Sequence, residues 1–414
     1  MVTEKGRLQM VTTPTGERLH IGLFGRRNAG KSSLINALSG HEVALVSSVP
    51  GTTTDPVNRP MELLPLGPVV LTDTAGIDDE GELGQLRVKK SLQVLDRTDL
   101  AVVVIDMDQE PGELEERLVD ECKSRGVPVV GAVNKAEMNH AIATLKATSL
   151  TQHFGIPFVP TATTGDAPGV NLLRQSIIAH APAGRETVPL LGDLVGPGDL
   201  VLLVVPVDLG APKGRLILPQ VEAIRDLLDR DAMVMVAKDQ ELRAALDSLK
   251  NPPALVVTDS QAFAKVNAEV PAEIPLTSFS ILLARYKGDL AELVKGAQAI
   301  DSLRPGDRVL IAETCTHHQQ ADDIGTVKLP KWLREHVGGD LEIEWAHGKE
   351  MPADLTRYRL IIHCGGCMIN RQLMMTRLRK AQAAQVPIVN YGVCIAHLNG
   401  ILKRAISPFA ELGV

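Results

Sequence analysis

A glycine-rich segment near the N-terminal end of the chain has the residues and spacing of a phosphate-binding loop. Its sequence is GRRNAGKS, residues 25–32, and it lies between an apolar run ending at Phe24 and a stretch with helical spacing, 33–38. Glycines let backbone N–H groups point at phosphates at a helix N-terminus, a lysine places its charge on the β and γ oxygens, and a serine hydroxyl can bind Mg²⁺. We therefore expect a nucleoside triphosphate to be bound by Gly25, Asn28, Ala29, Gly30, Lys31, Ser32 and Ser33.

Two downstream motifs would complete the phosphate and metal site. DTAG at 73–76 closes an apolar run, so we expect Asp73 in the Mg²⁺ shell with Ser32, and the Gly76 amide at the γ-phosphate. PGTTTD at 50–55 offers a switch threonine, and Thr53 is expected to join the metal in the triphosphate state. The predicted catalytic residues are Lys31, Thr53 and Gly76.

A third motif predicts that the base is guanine. NKAE at 134–137 follows another apolar run and resembles the guanine-reading motif of GTPases, with Thr-Ala at 161–162 as its usual support. Glu137 stands where that motif has Asp, and its extra methylene is expected to weaken guanine affinity or base discrimination. The expected base contacts are Asn134, Lys135, Glu137, Thr161 and Ala162.

GRRNAGKSSLINAL and PGTTTD resemble the Era, EngA and tRNA-modification branch of GTPases over about the first 180 residues. Ile77 follows DTAG, where Ras-like enzymes have the glutamine that positions the attacking water, and an isoleucine cannot do this. In the resembling branch an asparagine at the place of Asn28 helps to bind K⁺, although Asn is also common in tight turns. The resemblance implies slow GTP hydrolysis that K⁺ accelerates and Na⁺ does not.

Three cysteines form a second candidate site near the C-terminal end. Cys315 directly follows one apolar run, and Cys364 and Cys367 closely follow another, within the patterns CTH and HCGGC. Ligands bind outside the carboxyl ends of strands in open α/β sheets, so these thiols meet if the two strands are near neighbours. Three thiolates favour an iron–sulfur cluster with one exchangeable corner, and zinc held by three cysteines and one histidine is the nearest alternative.

The other histidines and cysteines have weaker claims to this site. His317 and His363 lie beside the candidate cysteines in the sequence. Either could be a fourth ligand, or it could donate a hydrogen bond to a ligand from behind. Cys122, on a polar helical stretch, and Cys394, in a small-residue turn, are expected to be packed thiols.

These motifs must be positioned by parallel strands joined by crossover helices, because short apolar runs alternate with amphipathic stretches from residue 20 onward. The predicted fold class is α/β, a P-loop GTPase domain with a mostly parallel sheet and helices on both faces, plus two further α/β domains. Its first five strands are expected at 20–25, 69–73, 100–106, 127–134 and 157–161. The predicted domains are 1–184 for GTP, 185–280 for dimerisation and 281–414 for the cluster.

Composition and charge exclude several kinds of partner. The chain has 414 residues, a net charge of −7 and no long run of Lys and Arg, so no general attraction to nucleic acid is expected. No apolar run is long enough to span a membrane and the N-terminus is polar, which predicts a cytoplasmic protein with reduced thiols.

The whole chain resembles the GTPase maturases of FeFe-hydrogenases, through the motifs above and the stretch VLLVVPVD…APKGRLILPQ of its middle part. The resemblance implies a four-iron four-sulfur cluster on Cys315, Cys364 and Cys367, and a homodimer formed by the middle domain. It implies a scaffold that accepts a di-iron subcluster precursor from radical-SAM maturases and delivers it to the apo FeFe-hydrogenase. The alternatives are an RNA- or ribosome-assembly GTPase with structural zinc, and a redox enzyme that uses the cluster as an electron relay.

Overall fold

A computed structural model describes residues 13–40, 56–77, 81–163, 169–182, 189–206, 216–314, 323–348 and 350–409, with only the backbone for 81–87. The chain forms two compact units, Met1–Gly184 and Arg185–Val414. Both units contain mostly parallel sheets with covering helices, so the predicted α/β class is confirmed. No helix in the described ranges is long and apolar enough to cross a membrane.

The first unit is built on a six-stranded sheet. Its strands are β1 (Leu19–Phe24), β2 (Val57–Leu63), β3 (Gly67–Asp73), β4 (Leu100–Asp106), β5 (Val129–Asn134) and β6 (Phe158–Pro160). The spatial order is β2-β3-β1-β4-β5-β6, and every neighbouring pair is parallel except β2 with β3. Strand β2 was not among the predicted strands, because it is a half-exposed edge strand with a proline and no continuous apolar run.

Helices cover both faces of this sheet. They are α1 (Lys31–Ser39), α2 (Gly81–Leu95), α3 (Glu113–Ser124), α4 (His140–Phe154) and α5 (Gly169–His180). Apolar side chains of α1 and α5 pack into the core on one face, and those of α2, α3 and α4 pack into the core on the other. Strand β4 is buried along its whole length, as expected for a central parallel strand covered on two sides.

The second unit contains two four-stranded parallel sheets. The first sheet has β7 (Leu200–Val204), β8 (Met233–Ala237), β9 (Leu255–Thr258) and β10 (Leu276–Ser278), and the second has β11 (Arg308–Glu313), β12 (Glu342–His347), β13 (Leu360–His363) and β14 (Ile388–Asn390). The strand orders are β10-β9-β7-β8 and β12-β11-β13-β14. When the strands are numbered within each sheet and both sheets are viewed in the same direction, each has the order 2-1-3-4. In each sheet the winding direction changes between the first and third strands, where open α/β sheets bind ligands.

The helices of the second unit are α6 (Leu218–Leu228), α7 (Leu242–Asp247), α8 (Phe263–Glu269), α9 (Phe279–Lys287), α10 (Leu290–Ala297), α11 (Leu329–Val337), α12 (Arg371–Ala383), α13 (Tyr391–Leu398) and α14 (Leu402–Ile406). Helix α9 packs against α6 as well as α12 and α13, and one continuous apolar core serves both sheets. The division at residue 280 therefore stays a prediction. The turn predicted around Cys394 is wrong, because the Asn390 side chain accepts a hydrogen bond from the Val393 N–H and caps helix α13 there.

Candidate functional site

The phosphate-binding segment forms a tight loop between β1 and α1. Gly30 caps α1 with a φ of 89°, and a Cβ atom there would lie 2.0 Å from Asn134 Nδ2. Asn28 has a φ of 62°, a left-handed conformation that asparagine tolerates better than most residues. Both residues are therefore selected by backbone geometry, whatever else Asn28 does.

The predicted phosphate and Mg²⁺ residues meet at the helix end of this loop. Lys31 is buried, and its Nζ donates to the carbonyl oxygens of Gly25 at 2.9 Å and Arg26 at 2.8 Å. Ser32 Oγ donates to Asp73 Oδ2 at 2.5 Å. Burial raises the pKa of the Asp73 carboxyl, opposed by that hydrogen bond and by the charge of Lys31. A hydroxyl beside a buried carboxylate is the oxygen donor set that Mg²⁺ takes from the protein in P-loop sites, so these residues fit the ion.

The DTAG segment lies against the same loop. Thr74 Oγ1 donates to the Leu23 carbonyl at 2.6 Å, and the Ile77 N–H donates to the Gly25 carbonyl at 3.4 Å. Gly76 is thereby held beside the phosphate-binding segment, and Ile77 is buried. Thr53 lies outside the described residues.

The guanine motif is joined to the phosphate loop through Asn134. Its Nδ2 donates to the Ala29 carbonyl at 2.9 Å, and its Oδ1 accepts from Thr161 Oγ1 at 3.3 Å. The Ala136 N–H donates to the Thr161 carbonyl at 2.9 Å, which ties β5 to the segment with Thr161. The predicted base contacts Asn134, Lys135, Thr161 and Ala162 therefore lie together, with Glu137 exposed at the end of the motif.

The sequence analysis did not predict the roles of Arg26, Glu115 and Asp106 in this region. Arg26 makes two hydrogen bonds to Glu115 of α3, Nε to Oε1 at 2.8 Å and a terminal nitrogen to Oε2 at 2.9 Å, and Glu115 is buried. The Gly112 N–H also donates to Glu115 Oε2, at 2.9 Å. Lys135 forms an ion pair with Asp106 at 2.5 Å. The one available signal was Glu115 at the third position of a helix, where glutamate commonly caps the first turn.

The candidate cysteine site lies where the second sheet of the Arg185–Val414 unit changes winding direction. Strands β11 and β13 are parallel neighbours, with Ala312 opposite His363. Directly beyond the strands, the Thr314 N–H lies 3.3 Å from Cys364 Sγ and Thr314 Oγ1 lies 3.1 Å from the same sulfur. Cys315 and His317 lie outside the described residues, but the residue before Cys315 contacts the Cys364 sulfur.

The side chain of His363 is buried behind these cysteines. Its Nδ1 lies 2.6 Å from the Cys364 carbonyl oxygen and its Nε2 lies 2.6 Å from a guanidinium nitrogen of Arg377. Because a guanidinium only donates hydrogen bonds, Nε2 must accept and Nδ1 must donate, which assigns the neutral Nδ1–H tautomer. In this arrangement both ring nitrogens are occupied, and His363 supports Cys364 from behind.

Cys367 is partly exposed, and its carbonyl oxygen accepts a hydrogen bond from Lys287 Nζ at 3.0 Å. The described cysteines, 122, 364, 367 and 394, are not joined to one another in disulfides. Among the described residues, which do not include Cys315, no group of three or more His, Cys, Asp or Glu side chains could hold a metal ion. Burial raises the pKa of Cys122 and of Cys394 to about 12, which leaves both as protonated core thiols at neutral pH.

Two curated relatives match part of the chain. The tRNA modification GTPase MnmE of Syntrophotalea carbinolica is 36% identical over 183 residues, 42% of this chain and 38% of that protein. MnmE of Thermus thermophilus is 44% identical over 90 residues, 22% of this chain and 21% of that protein. The chain thus spans less than two fifths of the length of either relative.

Solved structures resemble the chain only weakly. Era of Aquifex aeolicus is 19% identical, with 53% of this chain and 92% of that chain covered and a TM-score of 0.36. The G domain of the T. maritima FeoB iron transporter is 24% identical, with 40% and 100% covered and a TM-score of 0.30. At these scores the likeness supports no argument of its own.

Family models match three successive parts of the chain. The model described as a 50S ribosome-binding GTPase matches residues 20–135, the hydrogen maturase F dimerization domain matches 190–288, and the hydrogen maturase F tetramerization domain matches 291–408. The two C-terminal matches give no support to an RNA- or ribosome-assembly GTPase with structural zinc. Because a P-loop GTPase domain and both maturase domains follow one another in a single chain, the protein belongs to the hydrogen maturase F family, the GTPase maturases that its sequence resembles.

Proposed function

We propose that this chain is a GTP-switched carrier in FeFe-hydrogenase maturation. It holds a four-iron four-sulfur cluster on Cys315, Cys364 and Cys367, accepts a di-iron subcluster precursor there, and delivers it to the apo-hydrogenase. Radical-SAM maturases supply the precursor, and the protein works in the cytoplasm. In this proposal the chain has three domains, 1–184, 185–280 and 281–414.

One contact carries the proposal. Thr314, which directly follows β11, lies against the sulfur of Cys364, which directly follows β13. A residue adjacent in sequence to Thr314 has its Cα atom about 3.8 Å away, which leaves the Cys315 thiol a short distance to cover. In this proposal two neighbouring strand ends supply cysteines to one site, and the thiols of Cys364 and Cys367 are suitable ligands for iron.

The protein groups around these cysteines fit such a cluster. The Thr314 N–H donates to the Cys364 sulfur, and the Thr314 hydroxyl beside it would donate once that sulfur is a thiolate, because a thiolate only accepts. Donors to ligand sulfurs stabilise the thiolate form. His363 fixes the backbone at Cys364, so that its sulfur stays directed at the strand ends. When bound, the cluster would supply an iron with an exchangeable ligand, at which the di-iron precursor can attach and leave.

We propose that the first unit hydrolyses GTP slowly and that K⁺ accelerates it. The Lys31 ammonium, which donates to the carbonyls of Gly25 and Arg26, would donate to the phosphates of bound GTP, and Ser32, Asp73 and Thr53 would hold Mg²⁺. The buried side chain of Ile77 cannot orient water, and in this proposal a cation at Asn28 helps to stabilise the transition-state charge. Turnover measured in KCl and in NaCl tests this, and equal rates in the two salts would remove the role of K⁺.

We also propose a homodimer formed through the edge strand β8. This strand lies at the edge of its sheet, all five of its residues are exposed or half-buried, and Met233 and Val236 are 54% and 45% exposed. Leu228 and Val221, on the adjacent helix α6, are also exposed. An apolar edge strand of this kind is normally covered by another chain, and the match to a dimerization domain includes it. Sedimentation of the chain with Val236→Lys is expected to show monomer where the native chain shows dimer.

Activation of an apo FeFe-hydrogenase in vitro tests the carrier role. The native chain and the Cys364→Ala variant are each loaded with a synthetic di-iron mimic, and hydrogen evolution is measured after mixing. Cys394→Ala is the matched control, because it removes a buried thiol of the same unit that is not placed at the site. We expect activation by the native chain and by Cys394→Ala only, and full activation by Cys364→Ala would refute the carrier role.

A further inference from the structure

Two buried cations lie behind the two described cysteines of the candidate cluster site. Lys287, the last residue of α9, is 2% exposed and donates from Nζ to the Cys367 carbonyl at 3.0 Å. Arg377 on α12 is also 2% exposed and donates at 2.6 Å to His363, whose other nitrogen donates to the Cys364 carbonyl at 2.6 Å. The Cys367 carbonyl therefore accepts a hydrogen bond from a charged ammonium group. The Cys364 carbonyl accepts one from an imidazole whose other nitrogen contacts a charged guanidinium group.

Neither cation is explained by packing alone. Placing an ammonium or guanidinium group at this depth costs desolvation energy that an apolar side chain of similar volume would avoid. Lys287 donates to the Cys367 carbonyl and Arg377 donates to His363, and Arg377 also donates to the Gly348 carbonyl at 2.8 Å. Charges in a protein interior are weakly screened, so they act well beyond the atoms that they touch.

We propose that Lys287 and Arg377 are positioning residues whose fixed positive charges set the reduction potential of the cluster. The inference rests on the proposed function, because it requires the cluster on Cys364 and Cys367. Three thiolates make the site anionic, and reduction adds one more negative charge. A nearby cation stabilises the reduced state more than the oxidised state, and it therefore raises the midpoint potential.

The test is a redox titration of the anaerobically reconstituted full-length protein, followed by electron paramagnetic resonance at constant pH. Lys287→Met removes the charge and the donor, and Lys287→Gln removes the charge but keeps a donor for the Cys367 carbonyl. Lys295→Met on α10 is the control, since it removes one positive charge from an exposed position in the same unit. We expect the midpoint potential to become more negative in both Lys287 variants and to stay unchanged in Lys295→Met.

Several results would overturn the inference, and they differ from a failure of the proposed function. A native protein that takes up no iron and sulfide contradicts the cluster itself, and the inference falls with it. A native cluster with an unchanged potential in Lys287→Met contradicts only the charge effect. If Lys287→Gln keeps the native midpoint potential while Lys287→Met does not, the effect comes from the hydrogen bond and not from the charge. Folded Lys287 variants that both fail to load would show that the ammonium holds the cysteines in place, which also contradicts a role in setting the potential.

Discussion

The backbone N–H and the side-chain hydroxyl of Thr314 both lie within hydrogen-bonding distance of the Cys364 sulfur, at 3.3 and 3.1 Å. The contact joins the ends of two parallel strands that are 50 residues apart in the chain. It places Thr314, the residue that precedes Cys315 in the sequence, at the sulfur of Cys364.

Replacing Thr314 with valine tests the contact directly. Valine keeps the shape of the side chain and the backbone N–H but removes the hydroxyl donor, so the sulfur would carry more negative charge. We expect the midpoint potential of the reconstituted cluster to shift to more negative values, with iron content preserved. Thr356→Val, at an exposed position of the same unit, is the control, and equal potentials in the two variants would show that the hydroxyl has no influence on the cluster.

The contact between Gly30 and Asn134 predicts a loss of GTP affinity in Gly30→Ala. An alanine Cβ would lie 2.0 Å from Asn134 Nδ2, so the side chain that joins the phosphate loop to the guanine motif must move. We expect GTP binding to weaken at least about tenfold, or about 1.4 kcal/mol, in isothermal titration. Gly40→Ala is the control, since Gly40 also has a positive φ but no atom of the described residues lies within 4 Å of the point where its Cβ would be. Similar weakening in both variants would assign the effect to backbone strain.

The Arg26–Glu115 pair is expected to stabilise the GTPase unit. Glu115 is buried and accepts two hydrogen bonds from Arg26, so removing the guanidinium leaves a carboxylate short of partners. We expect Arg26→Met to lower the free energy of unfolding by about 2 kcal/mol, measured by urea denaturation.

A double-mutant cycle separates this pair from other effects of the same substitutions. Glu115→Gln keeps the size of the side chain and its hydrogen bond from Gly112, but it removes the charge that Arg26 contacts. We expect the cost of Arg26→Met to be clearly smaller in the Glu115→Gln background. Strictly additive costs would mean that the two side chains do not stabilise one another.

Ionisation of the two core thiols, Cys122 and Cys394, is expected to lower the stability of the protein at alkaline pH. Burial raises the pKa of Cys122 and of Cys394 from 9.0 to about 12, while the unfolded chain ionises near the ordinary value. Their contribution is therefore complete below pH 9 and is lost as the pH rises from 9 toward 12. Cys122→Ala with Cys394→Ala should flatten the fall in melting temperature over that range, and an unchanged slope would contradict the assignment. In the native chain at pH 8, iodoacetamide should modify Cys367 well before either core thiol.

The sequence predicts those parts of the fold that local patterns determine. Continuous apolar runs locate the buried parallel strands, whereas the edge strand β2 was missed because its exposed residues and proline follow no such pattern. The approach of Thr314 to Cys364 agrees with the rule that parallel strands end at one edge of a sheet, while the place of Cys315 stays a prediction. The rule required the two strands to be near neighbours, and β11 and β13 are adjacent parallel strands.

The supporting charges could not be predicted in this way. Lys287 contacts the Cys367 carbonyl across 80 residues, and Arg26 contacts Glu115 across 89. Such pairs depend on how helices pack onto sheets, and each residue alone is an ordinary surface residue type. The cap of α13 at Asn390 was missed for a different reason, since small residues near Cys394 are as typical of a turn as of a short buried helix.

The most direct measurement of the central claim is the iron, sulfide and zinc content of the anaerobically reconstituted protein and its cysteine variants. We expect iron and acid-labile sulfide in equal amounts in the native chain, with zinc absent. Cys315→Ala, Cys364→Ala and Cys367→Ala should each lose most of the iron, whereas Cys122→Ala and Cys394→Ala should keep it. Zinc in place of iron, or full iron content in Cys315→Ala, would contradict a cluster held by these three cysteines.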